Sequence, residues 1–286
     1  MTPFFRIEDI ASLPGFEFES PCRQYANYAY LENNIALCRV LTKYKIYVDT
    51  RDRGIAPHLI MDGFWETWLT QYLARIVKPG NICLDIGANV GYFSVLMAAL
   101  TGDQGRTIAI EPNPGVAKLL SLTAGINGPG FEVAQVALAD KEGKMRLKVP
   151  NESFGDASII ERIDNITKAK SVVKVRTATL DNLLNELNVD KVDIIKMDVE
   201  GAEPMVFEGM RQTIAKNKNI QIIIEYSPFL YDNPRVFTEY LFSEFIVRRI
   251  KDVEQIQDLD ESAIDSLVNL RDHTDLYLQK KNRVEV

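Results

Sequence analysis

The sequence predicts an α/β protein with a Rossmann-like, mostly parallel, doubly wound sheet, an antiparallel C-terminal edge strand and an N-terminal extension. Two observations carry this reading. Short Ile/Val-rich runs alternate with helical segments from about residue 80 to 226, the pattern of strands buried on both faces. The run Leu84-Asp-Ile-Gly-Ala-Asn-Val-Gly-Tyr-Phe93 then reads as a buried strand entering a glycine turn and a helix.

In chain order, residues 1–60 read as an irregular extension or lid, broken by Pro3, Pro14 and Pro21 and holding one β-rich run, Tyr44–Asp49. Residues 61–286 form the catalytic domain in this reading. Phe64–Val77 has helical apolar spacing and stops at Pro79-Gly80. Asn81–Ile86 is a strand and Gly91–Leu100 a helix. Arg106–Glu111 is the second strand, and Pro114 opens a helix that runs to Ile126. Phe131–Leu138 is the third strand and Ser171–Ala178 an extended run. Thr179 caps a helix over Leu180–Leu187. A strand is expected at Val192–Val199, a helix at Ala202–Ala215 and a strand at Ile220–Tyr226. The tail adds a helix near Arg235–Phe242, a strand Phe245–Ile250, a helix Glu261–Leu270 and a strand Leu276–Gln279.

Composition narrows the function. Thirty-three Lys and Arg stand against 40 Asp and Glu, a net charge of -7. No nucleic-acid partner is expected from that balance, since neutralising phosphates needs clustered cations. Cys22, Cys38 and Cys83 are odd in number without CxxC spacing, which fits reduced thiols in the cytoplasm. The first residues lack the apolar core of a signal peptide. The nine residues Tyr92–Leu100 fall short of the roughly 20 that span a bilayer, so no membrane partner is expected either.

The chemistry concentrates at two places. Asp85 ends the first strand beside the glycine turn, with Gly87, Asn89 and Gly91 in the turn itself. Glu111 follows Gly91 by 20 residues at the end of the second strand, where a carboxylate can accept ribose hydroxyls. The turn reads acid-x-Gly-x-Asn-x-Gly. An acid there repels a pyrophosphate and suits a ligand with a cationic amino group. The second place is Asp193-Ile-Ile-Lys-Met-Asp-Val-Glu-Gly-Ala-Glu203. It sets three carboxylates and Lys196 at the carboxyl end of a central strand, the edge where open α/β sheets bind ligands.

Together these stretches resemble the FkbM family of methyltransferases. The matching pieces are Asp85–Gly91, Ile110-Glu-Pro-Asn-Pro114, Val136-Ala-Leu-Ala-Asp140 followed by Lys-Glu-Gly143, Thr179-Leu-Asp181, and Ile195–Glu203. The likeness spans roughly residues 58–226, with Met197 where Ile or Leu is common. It implies a class I methyltransferase fold and S-adenosyl-L-methionine as cofactor, with a hydroxyl of a sugar or secondary metabolite as acceptor. By this resemblance, Gly87 and its neighbours wrap the methionine part and Asp85 lies near its amino group. Glu111 holds the ribose, Pro112 and Asn113 flank the adenine, and Ala137 and Leu138 face its edge. Asp198 lies between cofactor and acceptor, and Glu66 reaches the methionine end.

O-methylation needs a group to take the hydroxyl proton. The candidates are His58, Lys196, Asp198 and Glu200; His273 has no supporting context. Asp198 and Glu200 alone make thin grounds for a magnesium ion, and no metal is expected. Trp68 reads as core packing of a lid helix. Asn165-Ile-Thr167 matches a glycosylation sequon by pattern only. Two rivals stay open. One is an NAD-dependent oxidoreductase, which predicts Gly in place of Asn89; the other is a non-catalytic cofactor-binding domain that assists a partner. Acceptor selection is expected in residues 1–60, the loop Pro150–Lys170 and the tail after Ser227.

Overall fold

In the computed structural model, which describes residues 5–128, 130–149, 158–160, 171–251 and 255–281, the central strands alternate between two cores. Cys83, Ala109, Ile194 and Ile223 enter one apolar cluster. Leu84, Ile86, Ile108, Ile110, Ile195, Met197, Ile222 and Ile224 enter the other. A strand sends successive side chains to opposite faces, so a near-continuous apolar run is what a sheet covered on both faces requires.

The extension is more ordered than the sequence suggests. It forms α1 (Gly15–Tyr25), β1 (Tyr28–Glu32), β2 (Ile35–Val40), β3 (Tyr44–Asp49) and α2 (Ala56–Met61). The three strands make an antiparallel sheet in the order β1-β2-β3. Pro14 and Pro21 had suggested breaks, yet Pro14 is the N-cap of α1 and Pro21 lies within it. This sheet docks on the main fold: the Tyr47 N–H donates to Thr123 Oγ1 (3.1 Å), and the Asn127 side chain bonds both the N–H and the carbonyl of Lys45.

The main fold continues with α3 (Thr67–Ile76), β4 (Ile82–Ile86), α4 (Tyr92–Thr101), β5 (Arg106–Ile110), α5 (Pro114–Ile126) and β6 (Glu132–Ala134). Nine of the ten residues of α4 are buried, as expected of a helix apolar on all sides. Asn113 caps α5 by accepting from the Gly115 N–H at 3.1 Å. The expected third strand is split. β6 pairs with β5, and after a tight turn β7 (Ala137–Leu138) joins a second sheet ordered β7-β10-β8-β9, with β8 (Gly143–Val149), β9 (Ser158–Ile160) and β10 (Ser171–Ala178). The loop Pro150–Lys170 lies largely outside the described residues, and the sequon at Asn165 lies wholly outside them.

The chain then forms α6 (Leu180–Glu186), β11 (Ile194–Met197), α7 (Glu203–Glu208), α8 (Arg211–Lys216) and β12 (Gln221–Tyr226). The continuous helix expected over Ala202–Ala215 breaks at Gly209, where a Cβ would sit 2.1 Å from the Ala139 carbonyl oxygen. Asp181 serves the new helix start, accepting from the Gln212 and Thr213 N–H groups at 3.0 and 2.7 Å. The tail supplies α9 (Pro234–Glu244), β13 (Phe245–Ile250), β14 (Ile256–Leu259), α10 (Ile264–Val268) and β15 (Thr274–Lys280).

The eight-stranded sheet runs β14-β13-β15-β12-β11-β4-β5-β6. β12, β11, β4, β5 and β6 are mutually parallel, while β15 enters antiparallel between β12 and β13. This is the doubly wound class expected. The antiparallel portion is larger than a single edge strand, because β14 adds an outer strand the sequence did not announce. Its residues are mostly exposed and lack the apolar alternation that marks a half-buried strand.

Candidate active site

Strand register places the charged groups. β4 and β11 pair Asp85 with Lys196, and Lys196 pairs with Ile223 of β12. Two residues further on, Asp198 falls beside Glu225, and Glu225 is opposite Asp275 of β15. By the period of two, Asp85, Lys196, Glu225 and Asp275 share the sheet face that packs on α4. The carboxyl edge of the parallel strands thus carries a row of acids around one lysine, at the edge where such sheets hold ligands.

A cavity of about 500 Å³ opens over this edge, within the range of small-molecule sites. One half is largely apolar: Ile110, Pro112, Val136, Ala137, Leu138 and Leu147 surround Glu111. Glu111 is 7% exposed and is gripped by the backbone. Its Oε2 accepts from the Asn89 N–H at 3.0 Å, its Oε1 from the Asn113 N–H at 2.8 Å. Burial pushes its carboxyl up to about 7, against these two bonds, which favour the charge.

The other half is polar, with Glu66, Lys196, Asp198, Glu200, Glu225, Ser227 and His273 on its wall. Lys196 Nζ donates to Asp198 Oδ2 at 3.2 Å and sits 5.1 Å from the centre of the Phe93 ring. Burial works against its charge, but Asp198, Asp85 and Glu66 outweigh it and hold the ammonium above its usual range. Glu66 is raised to about 8, by burial first and then by Asp275, with Lys196 opposing. Glu225 is raised to about 7, by burial and then Asp198, with His273 and Lys196 opposing.

Backbone strain marks the same edge. Asn89, Glu66 and Glu200 have φ of 50°, 38° and 53°, a left-handed conformation uncommon for residues other than glycine, and all three line the cavity. Gly87, at φ 79°, has no alternative: a Cβ there would fall 1.7 Å from the Asp198 carbonyl oxygen. That approach locks the glycine turn against the Asp198 loop.

The cavity gathers most of the residues singled out from the sequence: Glu66, Gly87, Asn89, Glu111, Pro112, Ala137, Leu138, Lys196, Asp198 and Glu200. Four lie elsewhere. Asp85 is fully buried beneath the wall. Its Oδ2 accepts from Ser94 Oγ at 2.5 Å and its Oδ1 has no hydrogen-bond partner, so it acts on the site through Lys196. Gly91 faces the Leu120 and Phe131 side chains. Asn113 turns its side chain to the α5 cap. His58 is not among the cavity-lining residues; it packs against Trp65, ring centres 4.9 Å apart, with Nδ1 3.3 Å from Asp62 and over half its side chain exposed.

Trp68 also differs from its expected core position, being 37% exposed with Nε1 donating to Asp275 at 2.7 Å. Glu203, the last acid of the second motif, is 1% exposed and braces the Asp198 loop by accepting from the Val199 N–H at 3.0 Å. Sequence reasoning missed Glu225, Ser227, Asp275 and His273; the one available signal was an acid interrupting the apolar run Gln221–Tyr226. No group of three or more metal-ligating side chains occurs among the described residues, nor any helix long and apolar enough to cross a membrane.

A model of the methyltransferase FkbM domain matches residues 85–262, more than half of the chain. Among curated relatives, the AMB antimetabolite synthetase AmbE of Pseudomonas aeruginosa is 25% identical over 182 residues, covering 52% of this chain and 8% of that protein. The 2-O-methyltransferase NoeI of Sinorhizobium fredii is 27% identical over 169 residues, covering 55% of this chain and 68% of the relative. Among solved structures, an O-methyltransferase from Bacillus cereus in complex with SAH matches 70% of this chain and 74% of its own, at 13% identity and a TM-score of 0.40. The chain belongs to the FkbM methyltransferase family.

Proposed function

From that membership, we propose that this chain transfers a methyl group from S-adenosyl-L-methionine to a hydroxyl of a sugar or secondary metabolite. The observation that carries the proposal is Glu111, a carboxylate held by two backbone N–H groups inside an apolar wall and facing the cavity. Its free acceptor directions suit a vicinal diol, and Ile110, Pro112, Ala137 and Leu138 suit a flat apolar ring beside it. The Gly87–Asn89 turn offers backbone to the amino-acid part of the cofactor, Asp198 offers negative charge to its cationic groups, and the Glu66 carboxyl offers a hydrogen-bonding group beside them. When bound, the cofactor supplies an electrophilic methyl group on a sulfonium.

The protein's own contribution is alignment and exclusion of water, with a proton acceptor at the polar wall. Glu66, Asp198, Glu200 and Glu225 line the cavity, and this concentration of carboxyl groups disfavours a pyrophosphate. In this reading residues 1–60 act as a lid on the domain formed by 61–286, since Asp52, Gly54 and Ile55 reach the cavity rim. A neutral small molecule or glycan, rather than nucleic acid or membrane, suits the net charge of -7. Three buried, unpaired cysteines suit the cytoplasm.

Calorimetric titration with S-adenosylhomocysteine, S-adenosylmethionine and NAD tests the cofactor. Micromolar binding of the first two without NAD is expected, and NAD binding alone would overturn the proposal. Transfer of a tritiated methyl group to a panel of methyl pyranosides then tests the acceptor class.

A further inference from the structure

The antiparallel entry of β15 brings one group to the cavity rim and another beneath it that no strand of the parallel set could provide. Asp275 stands opposite Glu225 across the β12–β15 ladder, and His273, two residues before it, reaches the rim. Glu225 is half-buried and faces the cavity, with Ser227 Oγ donating to its Oε1 at 3.3 Å. Among the described residues no ion pair engages it. Three neighbouring groups are already engaged. Lys196 is held protonated by its acids, and Asp198 already accepts from Lys196. Asp275 is tied to the indole of Trp68 and sits 9% exposed.

We propose that Glu225 takes the proton of the hydroxyl being methylated and that His273 passes it to solvent; this rests on the methyl-transfer reading above. The hydroxyl oxygen forms a bond to the methyl carbon as the carbon–sulfur bond breaks, and that electron pair stays on sulfur. The O–H electron pair remains on oxygen, the proton moves to the Glu225 carboxylate, and His273 carries it to bulk water. The carboxylate is restored and nothing is oxidised or reduced.

The groups facing Glu225 set its poise. Asp198, Asp275, Glu66 and Glu203 disfavour a further negative charge there, while Lys196 and His273 favour it. Opposed influences of this kind leave a carboxyl able both to accept and to release a proton near neutrality, which is what a general base requires.

The test uses the full chain. Glu225→Gln keeps the shape and removes the basicity. On whichever methyl pyranoside of the panel is methylated, kcat should fall about 10²- to 10⁴-fold, while S-adenosylhomocysteine affinity stays within about threefold. Glu225→Asp should recover part of the rate. The chain has two histidines, so the NMR resonances of their rings give a readout without turnover. Glu225→Gln should shift the His273 ring resonances and leave those of His58, which pairs with Asp62, unchanged. A kcat within threefold of wild type, or an unmoved His273, overturns the assignment with S-adenosylhomocysteine binding intact. Failure of the wild-type protein to bind S-adenosylhomocysteine overturns the methyl-transfer reading along with it.

Discussion

Gly87→Ala separates two costs that glycine replacements usually mix, because Gly80 provides a matched reference. Gly80 and Gly87 have nearly the same φ, 82° and 79°, but a Cβ at Gly80 meets nothing closer than 4.0 Å, whereas at Gly87 it falls 1.7 Å from the Asp198 carbonyl oxygen and 2.8 Å from its carbon. Gly80→Ala should therefore cost only the left-handed penalty, about 1–2 kcal/mol. Gly87→Ala carries that penalty and must also push the β11 exit aside by more than an ångström. Such overpacking costs about 1–3 kcal/mol. Weakening the bond from the Asp198 N–H to the Ile86 carbonyl (2.9 Å) adds roughly 1 kcal/mol. The sum is about 3–6 kcal/mol, or a melting temperature lower by roughly 6–12 °C at the 2 °C per kcal/mol suited to a chain of this size. Urea unfolding of both variants and of wild type measures the difference. If the two replacements cost the same within about 1 kcal/mol, the close approach does not constrain the site and the reasoning fails.

Three further predictions test the charges. Glu111→Ala should weaken S-adenosylhomocysteine binding at least tenfold, as expected for losing bonds to a charged group worth about 1.5–3 kcal/mol; unchanged affinity by calorimetry sinks its assignment. Lys196→Met should destabilise the fold by about 3–5 kcal/mol at pH 8, since it strands the buried Asp85 and the half-buried Asp198 without their cation. The loss should shrink at pH 5 as neighbouring acids take up protons, and a urea midpoint unchanged at pH 8 contradicts this. Glu203 is raised to about 8 by burial, with the bonds from the Val199 and Glu203 N–H groups opposing. The folded state therefore holds its proton more tightly than the unfolded state. Its stabilising share is full below about 4.5 and declines as pH rises to about 8, by at most about 1.4 kcal/mol per unit. Glu203→Gln should flatten the stability curve between pH 5 and 8, and parallel curves for the two proteins refute the buried-acid account.

The parallel half of the fold was legible because it obeys simple periods. Apolar runs of four to six residues bounded by Gly, Pro or Asn gave β4, β5, β11 and β12 to within a residue or two at most ends, and Pro114 fixed the start of α5. Glu111, Lys196 and Asp198 could be named because a strand's carboxyl end is readable as the place where an apolar run meets an acid. Legibility failed where placement depends on distant partners. The α7–α8 break depends on Ala139, some 70 residues away in sequence. β7 leaves the line of β6 because β10 offers it a ladder. Glu225 and His273 line one cavity only because β15 folds back between β12 and β13, an insertion that no local pattern encodes. Asp85 shows the reverse error: its place in the motif is unmistakable, but the period of two sends its side chain inward beneath Lys196 rather than toward the cavity.

That late strand has a consequence for synthesis. β15 ends at residue 280 and lies beyond the 85–262 stretch that matches the family, yet it is wedged into the middle of the antiparallel half, and His273 just before it reaches the cavity rim. A chain emerging from the ribosome could pair β4, β5, β11 and β12 as they appear. It would still carry β12 with one exposed, highly apolar edge until β15 left the exit tunnel. Such an edge invites pairing with a neighbouring chain. Nascent chains stalled before residue 270 should accordingly be the most dependent on chaperones, and the ability to protect a ligand from exchange should appear only once β15 has left the tunnel.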